Sequence, residues 1–121
     1  MALILVVDDS PTMMSGTSKI LTTAGHEVIQ AESGNEGIDK AASDKPDLIL
    51  MDVVMPDING FQATRKITTN PDTQHIPVIM LTTKDQETDK VWAMRQGATD
   101  YIVKPPTKDE LLSKIDNALA G

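Results

Sequence analysis

The sequence predicts one α/β domain built on an open, doubly wound sheet of parallel strands with helices on both faces. Two observations lead to this prediction. Short apolar runs alternate with segments of helical spacing, in the order strand then helix, five times along the chain. Helical crossovers cover both faces of a parallel sheet, so its strands are continuous apolar runs. The length of 121 residues fits a single domain, and we expect that domain to span residues 1–121.

The candidate strands are five short runs. Most are continuous, apolar and rich in β-branched residues, and all are too short to be helices, which is typical of strands buried on both faces. The second run is less apolar and is expected near an edge of the sheet. In chain order the runs are residues 3–7, 27–31, 48–51, 78–81 and 101–103.

Boundary residues support helices between these runs. Ser10-Pro11 is a helix cap followed by a proline suited to a first turn, and Thr107 and Glu110 have the spacing of a capping box. Gly25 and Gly97 stand where helices are expected to end. Apolar or small residues recur at helical spacing in the first helix (Met13, Thr17, Ile20, Ala24), the second (Ile38, Ala41, Ala42) and the last (Leu111, Leu112, Ile115, Leu119).

Composition narrows the function. A net charge of −7 argues against binding to nucleic acid or to an anionic membrane. The absence of cysteine excludes disulfides and thiolate metal sites. No basic leader or long apolar run is visible, so we expect a cytoplasmic protein without membrane insertion. With 2% aromatic residues the core must be aliphatic, and we expect the methionines at 13, 14, 51, 55, 80 and 94 to fill it.

Polar residues stand at or beside the carboxyl ends of four predicted strands. They are Asp8 and Asp9 after the first, Asp52 after the third, Thr82 after the fourth and Lys104 after the fifth. In open parallel sheets this edge carries the ligand site. Carboxylates brought together there repel one another, so the sequence predicts a cation among them.

An all-oxygen site without cysteine suits a hard ion, and we expect Mg²⁺. Lys104 would add a fixed positive charge, and the Thr82 hydroxyl would donate a hydrogen bond. The chemistry that fits is phosphoryl transfer to a carboxylate. Asp52 is the expected nucleophile because it follows the central third strand, which leaves Asp8 and Asp9 as metal ligands, directly or through water.

These residues lie in motifs that resemble the response-regulator receiver domains, the CheY-like family. The motifs occur in family order and at family spacing, and the resemblance covers essentially the whole chain. They are Val6-Val7-Asp8-Asp9-Ser10, Met51-Asp52-Val53-Val54-Met55-Pro56 with Asn59-Gly60, Ile79-Met80-Leu81-Thr82-Thr83, and Tyr101-Ile102-Val103-Lys104-Pro105.

The resemblance implies a flavodoxin-like, CheY-like strand order of 2-1-3-4-5 and a site chemistry. Asp52 would take a phosphoryl group from a histidine kinase of the CheA type. Asp9, Asp52 and the backbone carbonyl of Val54 would bind Mg²⁺, and Asp8 would assist through water. Lys104 and residues Thr82 and Thr83 would contact the phosphoryl oxygens.

The same resemblance implies a switch. Thr82 would move toward the phosphoryl group, Tyr101 would then turn inward, and the peptide before Pro105 would be cis. The surface formed by the fourth helix, fifth strand and last helix, residues 86–95 and 101–120, would change and bind a downstream protein. With no output domain expected, that surface would be the output.

Two further segments resemble one particular group within this family. Residues 60–65 and 83–92 are similar to stand-alone regulators of type IV pilus twitching motility. Two positions depart from the wider family: Val54 is apolar where many fast-hydrolysing relatives have a polar residue, and Thr83 is larger than the usual Ala or Ser. We therefore predict slow self-dephosphorylation, because neither side chain helps to orient the attacking water.

Three alternatives stay open on the sequence alone. A phosphatase similar to the haloacid dehalogenases would use the same residue types, but it needs Asp-x-Asp after the first strand. A flavodoxin-like electron carrier has the same fold, but Asp8 and Asp9 would stand where the flavin phosphate binds. A phosphate sink without an output partner would have the same sequence signature as a signalling regulator. The chain is expected to catalyse only its own phosphorylation and dephosphorylation.

Overall fold

The computed structural model describes residues 2–82 and 87–120. In this part of the chain, strands and helices alternate as predicted. The strands are β1 (Leu3–Val7), β2 (Glu27–Ala31), β3 (Leu48–Met51), β4 (Val78–Thr82) and β5 (Asp100–Val103). The helices are α1 (Pro11–Thr23), α2 (Gly34–Asp44), α3 (Gly60–Thr69), α4 (Glu87–Arg95) and α5 (Lys108–Ala120).

All the strand pairs are parallel, and the sheet order is β2-β1-β3-β4-β5. This confirms the predicted order and places β3 at the centre. In β2 only Ala31 is fully buried, which fits its edge position. Two strand limits differ by one residue from the prediction, since β4 includes Thr82 and β5 begins at Asp100.

Alternate strand residues build two cores, one on each face of the sheet. Leu5, Val7 and Met80 belong to the core that also contains Phe61 of α3 and Ala93 of α4. The other core lies against α1 and α5 and includes Ile4, Leu21, Leu50, Leu111 and Ile115. The prediction that methionines fill the core is wrong for Met94, which is 51% exposed on α4.

Local signals set the helix ends. The Ser10 hydroxyl accepts a hydrogen bond from the backbone N–H of Met13 at 3.4 Å, and Pro11 occupies the first turn of α1. Gly25 and Gly97 have φ of 94° and 96°, a left-handed conformation that favours glycine at a helix end. Within the described residues, none of the helices combines the length and hydropathy needed to cross a membrane.

Candidate functional site

Backbone hydrogen bonds hold the two key aspartates at the end of the sheet. The Asp8 N–H donates to the Ala31 carbonyl at 3.0 Å, and the Asp52 N–H donates to the Val7 carbonyl at 3.0 Å. The sheet ladder therefore continues one residue past β1 and β3. Such pairing fixes the direction of both side chains, because successive residues of an extended chain point to opposite faces.

The three aspartates predicted at this edge come together. Oxygen atoms of Asp8, Asp9 and Asp52 all lie within 4.8 Å of one another. Asp8 and Asp52 are buried, and Asp52 is 9% exposed, whereas Asp9 faces solvent. The cluster thus has a closed inner side and an open outer side through which a small ion or a phosphodonor could enter.

Lys104 reaches the cluster from β5. Its Nζ donates a short hydrogen bond to Asp8 Oδ2 and lies 3.5 Å from Asp52 Oδ1. The Lys104 N–H donates to the Thr82 carbonyl at 2.7 Å, which ties it to the end of β4. The Lys104–Pro105 peptide bond is cis. Lys104 therefore places one buried positive charge beside the carboxylates of Asp8 and Asp52.

The pKa of Asp52 depends on its burial and on the charges around it. Burial raises the pKa of its carboxyl above the usual 3.8, the Lys104 charge opposes that rise, and the charge of Asp8 adds to it. The N–H of Val53 also donates to Asp52 Oδ1 at 2.8 Å and favours the ionised form. Burial is thus the main reason for the raised pKa, and a cation bound beside the carboxylate would lower it again.

The donor set fits Mg²⁺. It consists of carboxylate oxygens on three residues at one edge, and the chain has no cysteine that could add a thiolate ligand. The exposed side of Asp9 leaves room for the water molecules that Mg²⁺ retains. Asp9 and Asp52 are the residues that would hold the ion, with Asp8 next to them.

The remaining predicted residues have different placements. Thr82 is fully buried at the end of β4, and Val54 is 59% exposed in the loop after β3. Tyr101 is 7% exposed and packs in the core beside Phe61 and Met80. Tyr101 is thus buried in this structure, and its role in a switch stays a prediction. Thr83 lies outside the described residues.

Two residues that shape the site were not given a role by sequence reasoning. A Cβ at Gly60 would stand 1.9 Å from the carbonyl oxygen of Asp52, so only glycine lets α3 begin this close to the site. The Asp57 carboxylate accepts hydrogen bonds from the N–H groups of Gly34 at 3.0 Å and Asn35 at 2.8 Å. These bonds fasten the loop after β3 to the start of α2. Gly60 could have been found from its place in the Asn59-Gly60 motif. No sequence pattern pointed to the role of Asp57.

Comparison with known proteins gives the family. The chain matches the response regulator receiver domain over residues 4–116. Protein PilH of Pseudomonas aeruginosa is 55% identical over 121 residues, which are 100% of this chain and 100% of that protein.

Solved structures agree with that match. The chemotaxis protein CheY4 of Vibrio cholerae has a TM-score of 0.91 at 34% identity and covers 98% of each chain. The receiver domain of a sensor histidine kinase from Pseudomonas aeruginosa has a TM-score of 0.92 at 28% identity, over 99% of this chain and 98% of that one. That structure has a magnesium ion coordinated in its active-site cleft. Sequence, sheet order and structural likeness agree, and this chain belongs to the response regulator receiver domain family.

Proposed function

We propose that the chain is a phosphorylation switch in which Asp52 accepts a phosphoryl group, with Mg²⁺, from a histidine kinase. The observation that carries this proposal is the pairing of a three-carboxylate cluster with one buried lysine, whose Nζ contacts Asp8 and lies 3.5 Å from Asp52. We assign Asp52 as the acceptor because it follows the central strand and because the Val53 N–H already orients its carboxylate.

In the transfer, a carboxylate oxygen of Asp52 attacks phosphorus and the bond between phosphorus and the donor's imidazole nitrogen breaks. Mg²⁺, when bound by Asp9, Asp52 and the Val54 carbonyl, supplies positive charge for the phosphoryl oxygens. Lys104 supplies the second positive charge from its fixed position in the protein. Preorganised charge of this kind is the main contribution that proteins make to phosphoryl transfer.

The phosphoryl group adds roughly −1.5 to −2 charges at the site. Lys104 and the Thr82 hydroxyl are the partners that we assign to its oxygens. Any shift in the position of Thr82 reaches β5 through its neighbour Val103 and the Lys104 N–H. We therefore infer that phosphorylation changes the population of two arrangements of α4, β5 and α5, and that a downstream protein binds this surface.

Self-dephosphorylation is expected to be slow. Val54 is largely exposed, two residues after Asp52, and its apolar side chain cannot hydrogen-bond the attacking water. We expect phospho-Asp52 to last for minutes or longer in purified protein. A lifetime of seconds would contradict this part of the proposal.

The pathway is proposed from the full-length likeness to PilH. We infer that the chain acts in the cytoplasm, in a chemotaxis-like phosphorelay that controls type IV pilus twitching motility. A kinase of the CheA type stays a prediction. So does the choice between a signalling role and a phosphate sink. Membership in the receiver family argues against the phosphatase and electron-carrier alternatives.

Intact mass after incubation with Mg²⁺ and acetyl phosphate tests the chemistry. We expect a gain of ~80 Da, one phosphoryl group, that is lost with EDTA and in Asp52→Asn. Asp47→Asn is a suitable control, because that carboxylate lies at the opposite end of the sheet and accepts a hydrogen bond from the Leu3 N–H. A gain that persists in Asp52→Asn would identify another acceptor, and no gain in the wild-type protein would contradict the proposal.

A further inference from the structure

A cleft between α3 and α4 lies outside the site described above. It has a volume of about 550 Å³ and shares no residue with the aspartate cluster. Residues from the loop before α3, from α3 itself and from α4 line it, among them Ile58, Phe61, Arg65, Lys66, Trp92 and Gln96. Its size falls within the range of ligand-binding clefts, about 300–1,000 Å³.

The apolar part of the cleft includes a large aromatic side chain that is half exposed. Trp92 is the single tryptophan of the chain and is 50% exposed on the wall of the cleft. Val91 and Met94 on the same helix are also exposed. Trp92 of α4 and Gln96, directly after α4, line the cleft opposite α3. Of the three exposed apolar side chains, only Trp92 lines the cleft, and tryptophan is common at interfaces because its ring combines a large apolar area with an N–H donor.

The charged part of the cleft is cationic. Arg65 and Lys66 line it from α3 and are exposed, and neither forms an ion pair with another residue in the described ranges 2–82 and 87–120. No acidic residue is among the described residues of its lining. This contrasts with a chain whose net charge is −7.

We propose that this cleft binds an acidic peptide segment of a partner protein, one that combines carboxylates with an aliphatic or aromatic side chain. The carboxylates match Arg65 and Lys66, and the apolar side chain fits between Phe61 and Trp92. Arginine binds carboxylates in a fork geometry, and tryptophan and arginine often dominate such interfaces. The proposal does not depend on phosphorylation of Asp52, so it can fail or succeed independently of the proposed function.

The ends of the cleft limit how the peptide can enter. The Thr68 hydroxyl donates to the Gln96 carbonyl at 2.7 Å, which joins the C-terminal ends of the two helices. A Cβ at Gly97 would stand 2.7 Å from Thr68 Oγ1, so the helices are in close contact there. The peptide must therefore lie across the more open part, near Phe61, Arg65 and Trp92.

Trp92 provides the signal for the test. The unphosphorylated, ¹⁵N-labelled full chain is titrated with an acetylated ten-residue peptide of Glu, Asp and Leu, and its single indole N–H resonance is followed with the amides of α3. A second peptide replaces Glu and Asp by Gln and Asn. We expect saturable shifts of the indole and α3 signals with the acidic peptide only.

Two double variants locate the site. Arg65→Glu/Lys66→Glu should weaken binding about tenfold or more, because both charge contacts become repulsive. Lys19→Glu/Lys108→Glu makes the same change in net charge at exposed positions of α1 and α5 and should leave affinity within about twofold of wild type, a difference that long-range electrostatics alone accounts for.

Other results would overturn the proposal. They are no shift at millimolar peptide, equal binding of the neutral peptide, or equal weakening in both double variants. Tighter binding of inorganic phosphate or of ATP than of the acidic peptide would assign the cleft to a phosphate-bearing ligand instead. Concentration-dependent dimerisation that Arg65→Glu/Lys66→Glu abolishes would assign it to a second copy of the chain.

Discussion

Helices α3 and α4 follow the neighbouring strands β3, which ends just before Asp52, and β4, which ends at Thr82. The two helices differ in how many of their described side chains are buried. In α3, half of the residues are buried, including Phe61 and Ile67. In the part of α4 whose side chains are described, residues 90–95, Ala93 is the buried residue, and Val91, Trp92 and Met94 are exposed. Helix α3 packs on the core along its length, whereas residues 90–95 of α4 pack on it through the small side chain of Ala93.

Hydrogen bonds hold both ends of α3. Asn59 and Gln62 form a complete capping box at the start of α3, and the Thr73 hydroxyl donates to the Ile67 carbonyl near its end. The C-terminal end of α4 is joined to α3 by the bond from Thr68 to Gln96. A switch needs one rigid side that supports the reacting groups and one side that can repack at a small cost in free energy. In the proposed switch, we expect α3 to be the rigid side and α4 the side that changes.

The broadest expected effect, on stability and on phosphorylation together, is that of Gly60→Ala. The new Cβ would overlap the Asp52 carbonyl oxygen, so either α3 or the site must move. We expect a loss of about 3 kcal/mol of unfolding free energy, together with loss of phosphorylation by acetyl phosphate. Urea unfolding and intact mass measure the two effects.

The control for this change is Gly16→Ala in α1, where a Cβ meets nothing within 4 Å. It should gain about 0.5–1 kcal/mol, as usual for this exchange in a helix. Normal phosphorylation of Gly60→Ala would show that α3 does not fix the site.

Phe61→Ala should cost about 3–5 kcal/mol of unfolding free energy, the usual loss for a buried phenylalanine. The ring is buried in the core next to Tyr101 and Met80. The measurement is the urea midpoint at neutral pH. A cost below about 1 kcal/mol, the level of an ordinary surface change, would mean that α3 is no better anchored than α4.

A smaller, pH-dependent effect is expected for Asp57→Asn. Hydrogen bonds from the N–H groups of Asn35 and Gly34 help to lower the pKa of Asp57 from 3.8 to about 2. Because the folded state lowers this pKa, the stabilisation is present above pH 3.8 and is lost as the pH falls toward about 2. The variant should therefore be less stable than wild type at pH 6, and the difference should shrink in acid.

Unfolding midpoints at pH 6 and in steps down to about pH 2 test this. The matched control is Asp39→Asn, which removes one carboxylate at an exposed position of α2, the helix whose start Asp57 contacts. A destabilisation by Asp57→Asn that is constant across the acid range would show that the carboxylate charge does not hold the loop.

The smallest effect is expected for Trp92→Ala. The side chain is half exposed on α4, so its loss should change the unfolding free energy by about 1 kcal/mol or less. The urea midpoint, compared with that of Phe61→Ala, measures the contrast between the helices directly. If both variants lose the same stability, the contrast is wrong.

Much of this arrangement could be predicted because it depends on short-range patterns. Continuous apolar runs and helical spacing gave the elements, and the polar residues that follow Val7, Met51, Leu81 and Val103 predicted a cluster at one edge. The choice of partner for Lys104 could not be predicted. Its Nζ bonds Asp8, a residue 96 positions away, rather than Asp52, and only the twist and spacing of the sheet decide between two carboxylates at one edge.

The contrast between the helices was also beyond the sequence. Val91, Trp92 and Met94 lie on more than one side of α4, so periodicity does not identify its buried face, and Met94 was wrongly expected in the core. The bond from Asp57 to the start of α2 joins two segments that are 22 and 23 residues apart. Contacts of that kind depend on how loops meet in space, which hydrophobic patterning does not encode.

The central claim is that phosphorylation of Asp52 shifts the α4 side of the site while α3 stays in place. Amide chemical shifts of the ¹⁵N-labelled chain, recorded with Mg²⁺ before and after addition of acetyl phosphate, test it most directly, with Asp52→Asn as control. We predict changes around Asp52, at Thr82, along α4 and at Tyr101, with little change in α3 beyond its first turn and none in the variant. Equal shifts in α3 and α4, or shifts confined to the aspartate cluster, would contradict the account.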